Sequence, residues 1–79
     1  MMKSEKRQQQ YRELGLTIAY YRKLKGITQM KLAEAVDLSR THISNIEAPK
    51  VPTSVSLDKL FDIADVLEVS IKDLFDFRQ

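Results

Sequence analysis

The chain is predicted to be all-α, with five short helices around one core. Three observations predict it. The stretch Gly26 to Glu47 holds two short helical patterns, each opened by a hydroxyl residue suited to an N-cap: Thr28 before residues 29–36, and Ser39 before residues 40–47. Only Asp37 and Leu38 separate the two, so the helices must cross at a steep angle. Further apolar residues recur at helical spacing on both sides of this pair.

The elements follow in order. Residues 1–10 are polar and basic and carry no apolar stripe. They read as a basic arm or as a frayed extension of the next helix, and a basic arm can lie along DNA. The folded domain is expected over residues 11–79. Tyr11 to Lys25 reads as the first helix, with Tyr11, Leu14, Ile18 and Tyr21 on one face and Gly26 as the stop. Leu16, Tyr20 and Leu24 make a second stripe on the opposite side. Its expected cover is intramolecular, from the last helix or the N-terminal segment, with a subunit contact as the alternative.

In the second and third helices, Leu32, Ala33 and Val36 form one inward stripe, Ile43 and Ile46 the other, and Leu38 plugs the corner. This is the helix-turn-helix arrangement. Pro49 biases Ala48 away from helical backbone and ends the third helix, and residues 48–55 form a loop. Ser56 caps a fourth helix with Leu57, Leu60, Phe61, Ala64 and Leu67 as its stripe. Ser70 with Asp73 resembles a capping box opening the last helix, which offers Ile71, Leu74 and Phe75. Phe77 is expected to be partly exposed.

Composition bounds the function. At 79 residues the chain is one domain, which buries only roughly 60–65% of its unfolded surface. There is no Cys, hence no disulfide framework and no thiolate metal site, which fits a reducing cytoplasm. No apolar run approaches the length of a membrane span or signal peptide. The net charge of +2 hides an asymmetry. Residues 1–31 carry +6, residues 32–55 carry −1 and residues 56–79 carry −3. Such a bipolar domain can present its basic end to phosphates. An enzyme is not expected. The one His, His42, has no Cys, His or Asp at metal-ligand spacing, and with only Gly15 and Gly26 there is no glycine-rich nucleotide loop. No cofactor is expected.

The third helix points to the chemistry. With Ile43 and Ile46 inward, helical spacing turns Thr41, Ser44, Asn45 and Ala48 outward, and Arg40 reaches the same way from the first turn. Short hydrogen-bonding side chains with one Arg suit insertion into a major groove. The segment resembles the Cro/cI-type, or XRE-family, helix-turn-helix domain related to lambda repressor. The matching residues are Arg22, Gly26, Thr28-Gln29, Leu32-Ala33, Ser39, Ile43-Ser44 and Ile46-Glu47. The match continues through Leu57, Leu60, Ile63-Ala64, Leu67, Val69-Ser70 and Leu74-Phe75.

The resemblance implies a five-helix lambda repressor-like fold and a structural ion pair between Arg22 and Glu47. It also places Asp37 where the family usually has Gly, at positive φ. The expected DNA contacts are Arg40, Thr41, Ser44 and Asn45 to bases, and Gln29 to the DNA backbone. Lys31, His42 and Lys50 are expected on phosphates, with Thr28 and Ser39 at the helix starts beside them. The expected function is a sequence-specific regulator of transcription, a repressor acting as a homodimer on a pseudo-palindromic duplex in the cytoplasm. The alternative is a protein-interaction module or antitoxin of the same fold that binds a protein partner.

Overall fold

The computed structural model describes residues 4–49 and 53–77. They form five helices: α1 (Glu5–Lys25), α2 (Gln29–Ala35), α3 (Arg40–Glu47), α4 (Leu57–Leu67) and α5 (Ile71–Leu74). Each begins on a hydroxyl. Ser4, Thr28, Ser39, Ser56 and Ser70 have extended backbones, and their side-chain oxygens accept from the N–H of Arg7, Lys31, His42, Lys59 and Asp73. Each bond satisfies one N–H that the helix leaves open, at about 1 kcal/mol per cap. At α5 the capping box is complete, since Asp73 also accepts from the N–H of Ser70.

Left-handed residues close three of the helix ends. Gly26 (φ 82°) ends α1, Asp37 (φ 59°) follows α2, and Glu68 (φ 60°) ends α4. At the last two the next N–H reaches back five residues, Leu38 to the Ala33 carbonyl at 2.9 Å and Val69 to the Ala64 carbonyl at 3.0 Å. These turns set the crossing of α2 with α3 and of α4 with α5.

The core comes from all five helices: Leu14 and Ile18; Leu32, Ala33 and Val36; Ile43 and Ile46; Leu60, Ile63, Ala64 and Leu67; and Leu74. Leu38 packs half-buried at the corner. Helix α1 crosses α3 at close range. A Cβ at Gly15 would overlap the carbonyl oxygen of Ile46 and stand 3.1 Å from the Glu47 carbonyl, so only glycine lets the two backbones approach there.

Five expectations are corrected. First, α1 starts at Glu5 rather than Tyr11. Its first turns are solvated, with side-chain bonds from Arg7 to Gln10 (2.8 Å) and Arg12 to Gln9 (2.6 Å). Second, the Leu16, Tyr20 and Leu24 stripe is uncovered among the described residues, at 61%, 49% and 69% exposure. The last helix instead packs beside Tyr21, whose hydroxyl is raised above its usual pKa by burial and then by the Asp73 carboxylate. Third, the inward stripe of α4 is Leu60, Ile63, Ala64 and Leu67, whereas Leu57 and Phe61 face out. Fourth, Phe75 is exposed rather than offered to the core, while Phe77 is partly exposed as expected, half-buried against the core. Fifth, the α2 helix ends at Ala35, with Val36 as its cap.

Candidate nucleic-acid interface

The interface is built on α3, whose eight residues span about 12 Å, close to the width of a major groove. Ile43 and Ile46 are buried and fix which side faces out. Arg40, Thr41, Asn45 and Ala48 are exposed, while His42 and Ser44 are half-buried. No acidic side chain stands on that outer side. Glu47, the one acid of α3, is turned inward and 5% exposed.

Glu47 is held by Arg22 of α1 in a two-pronged ion pair. Arg22 Nε donates to Glu47 Oε2 at 2.7 Å and Nη2 to Oε1 at 3.0 Å. The remaining guanidinium nitrogen, Nη1, donates to the Ile27 carbonyl at 2.8 Å, in the link between α1 and α2. A desolvated pair is tolerated only when its donors and acceptors are satisfied, and no buried side-chain polar atom among the described residues lacks a partner.

Glu47 also accepts from Gln29 Nε2 at 3.0 Å, and Gln29 Oε1 accepts from Arg40 Nη1 at 3.2 Å. A continuous chain of polar contacts therefore runs from α1, through the end of α3, to the start of α2 and on to Arg40 at the start of α3. Gln29, expected on the DNA backbone, has both ends of its amide engaged within the protein. The other expected site residues sit as follows. Thr28 and Ser39 are the exposed N-caps of α2 and α3, each accepting a backbone N–H of its own helix. Lys31 is exposed on α2. Lys50 lies outside the described residues.

Two contacts between helices distant in the chain have no counterpart among the expected site residues. Lys59 Nζ, from the first turn of α4, donates to the Val36 carbonyl at 2.6 Å and so caps the end of α2 from outside. Lys25 pairs with Glu68 at 2.7 Å, joining the ends of α1 and α4. The hydrogen bond from Lys25 and then its charge hold the Glu68 carboxyl below its usual pKa. Neither contact leaves a signal in residue spacing, since both join helices distant in the chain. Gly15 did leave one: a glycine inside a helical pattern costs about 1 kcal/mol against alanine and so points to a close approach.

Among the described residues no helix is long and apolar enough to cross a membrane, and no group of three or more His, Cys, Asp or Glu is placed to hold a metal ion.

Comparison with known proteins adds the relatives. A family model described as helix-turn-helix matches residues 18–74. The chain is 47% identical over 52 residues to the control protein C.BamHI of Bacillus amyloliquefaciens, covering 66% of this chain and 62% of that protein. It is 35% identical over 63 residues to the HTH-type transcriptional regulator SinR of Bacillus subtilis (strain 168), covering 80% of this chain and 56% of that protein. The chain thus spans less than two thirds of the length of either relative. The restriction-modification controller protein C.AhdI from Aeromonas hydrophila superposes with a TM-score of 0.75 at 26% identity, over 82% of this chain and 96% of that one. The master regulator for biofilm formation SinR, solved in complex with DNA, superposes with a TM-score of 0.71 at 35% identity, over 80% and 98%. The matched stretch contains α2 and α3 entire, with the capped turn between them and the buried Arg22–Glu47 pair behind them, and the chain belongs to the XRE-type helix-turn-helix family.

Proposed function

We propose that this chain is a DNA-binding regulator of transcription that lays α3 in the major groove of a specific duplex. The observation that carries the reading is the division of α3 into two sides. Ile43, Ile46 and Glu47 are locked into the domain, while Arg40, Thr41 and Asn45 stand exposed on a face without acids. Arg40 takes the bidentate guanine contact, Asn45 pairs with adenine, Thr41 meets a thymine methyl, and Ser44 reaches a base edge or phosphate. Lys31, His42 and Lys50 add phosphate contacts, and the Thr28 and Ser39 hydroxyls donate to phosphate oxygens. The kinship with SinR, whose structure includes DNA, supports the same reading.

One α3 reads few base pairs, so the working form is a homodimer on a pseudo-palindrome, acting in the cytoplasm as a repressor. The exposed Leu57 and Phe61, one turn apart on α4, support a contact between copies through the C-terminal helices. Selection of bound duplexes from a random pool, followed by footprinting, tests the reading. The expected result is a pseudo-palindrome with half-sites about one helical turn apart. A pool that yields no enriched duplex would instead favour a module serving a protein partner.

A further inference from the structure

We propose that the cleft between the start of α1 and the stretch after α5 binds a small carboxylic acid with an apolar body, medium-chain or aromatic. The cleft measures about 350 Å³, within the range of small-molecule sites. Leu14 of α1 and Leu60 of α4, each 5% exposed, form its floor. Tyr11, Val55 and the ring pair of Phe75 and Phe77, 6.4 Å apart, form its walls. Among the described residues none from α2 or α3 lines it, so it is separate from the face that reads DNA.

The rim sets the head group. Arg7 and Gln10 stand exposed there, about one turn apart. Arg7 Nε donates to Gln10 Oε1 at 2.8 Å, which engages the only side-chain acceptor of the two. What remains is donors: Arg7 Nη1 and Nη2 and the Gln10 amide nitrogen, none of them hydrogen-bonded among the described residues. No acidic side chain among the described residues lines the cleft. Asp73 and Asp76, the carboxylates of the C-terminal stretch, act instead on the Tyr21 hydroxyl, further along α1. A positively charged rim of donors takes an acceptor-only anion, and a carboxylate meets the outer edge of a guanidinium at two points. The leucine floor and aromatic walls take the rest of the ligand. A cationic head group would be repelled by Arg7, and a neutral one would forgo the charge.

The test uses the full chain, isotope-labelled for NMR, with octanoate, phenylpropionate, octanol and octylamine as probes. At millimolar concentrations octanoate and phenylpropionate are expected to shift the amide signals of Tyr11, Leu14, Val55 and Phe77 saturably. They should also raise the melting temperature with concentration. Octanol should bind about three- to fivefold more weakly than octanoate, the worth of an exposed ion pair, and octylamine more weakly still. Arg7→Gln should bring octanoate down to the level of octanol and leave octanol unchanged. Val55→Phe, which fills the cleft, should abolish binding of every probe. Phe77→Ala, which removes a wall and adds no volume, should weaken octanoate and octanol alike, and melts without ligand confirm that each variant folds. Absence of saturable shifts overturns the inference. So does equal binding of all four probes, insensitive to Arg7→Gln, which marks unspecific apolar adsorption. Binding that disappears as copies associate at higher protein concentration assigns the cleft to a contact between copies and overturns it too. None of these readouts uses DNA, so the outcome is independent of the reading of α3.

Discussion

Arg22 grips Glu47 along both carboxylate oxygens, at 2.7 and 3.0 Å, across the buried junction of α1 and α3. Removing Glu47 strands the Arg22 charge in a desolvated site, at about 3–5 kcal/mol. Glu47→Ala should therefore lower the melting temperature by about 12 °C or more for a domain this small. A melt that overlays the wild type would show that the pair contributes nothing to the fold.

Gly15→Ala is expected to have the opposite sign from the usual helix substitution. Alanine in a helix interior normally gains about 1 kcal/mol over glycine. Here the added Cβ would overlap the Ile46 carbonyl, and the obstacle is backbone, which cannot rotate away. The expected loss is about 1–3 kcal/mol, read by urea unfolding. A stabilised variant would mean that α1 and α3 are not in contact there.

These two sites differ in how far residue spacing revealed them. The hydroxyls Thr28, Ser39, Ser56 and Ser70 were legible as caps because each precedes an apolar pattern. Ser4 was not, because the turn it opens is polar all round and stands in solvent. Amphipathic spacing detects buried faces, whereas Glu5 to Gln10 are helical through propensity, the cap and local side-chain bonds. On α4 the expected apolar stripe holds Leu60, Ala64 and Leu67 but is rotated toward Leu57 and Phe61 and omits Ile63, because Leu57 and Phe61 continue the same helical period beside the core face. Apolar spacing cannot separate a core face from an adjoining apolar face left open. The Arg22–Glu47 pair joins residues 25 apart and came through family resemblance alone. The Gln29 link to Glu47 and Arg40 had no signal, since polar residues at helix starts have many possible partners.

Asp37 holds φ at 59° in the turn between α2 and α3, with its side chain exposed. A left-handed backbone is costly for any residue with a Cβ, although Asp tolerates it better than most. Asp37→Gly should stabilise the domain by about 0.5–1 kcal/mol, after allowing for the greater freedom of glycine in the unfolded chain. Chemical denaturation checks the sign, and a loss would reveal a contact made by the carboxylate.

Phe61 is 46% exposed on α4, one turn from Leu57. If copies join through this face, Phe61→Lys should produce a monomer by sedimentation and weaken duplex binding, with the melting of the isolated domain little changed. A Phe61→Lys protein of unaltered oligomeric state and affinity would move the dimer contact elsewhere, to the open Leu16, Tyr20 and Leu24 stripe of α1.

The base-reading role of α3 is tested most directly by Arg40→Ala on a matched set of single-base operator variants, across salt concentrations, beside Lys31→Ala. Arg40→Ala should cost about 1–3 kcal/mol on the preferred operator and relax selectivity at one or two base positions. Lys31→Ala should weaken all duplexes alike and lower the salt slope by about one unit. If Arg40→Ala instead weakens every duplex equally, Arg40 grips only phosphate, and the outer face of α3 does not read sequence as described.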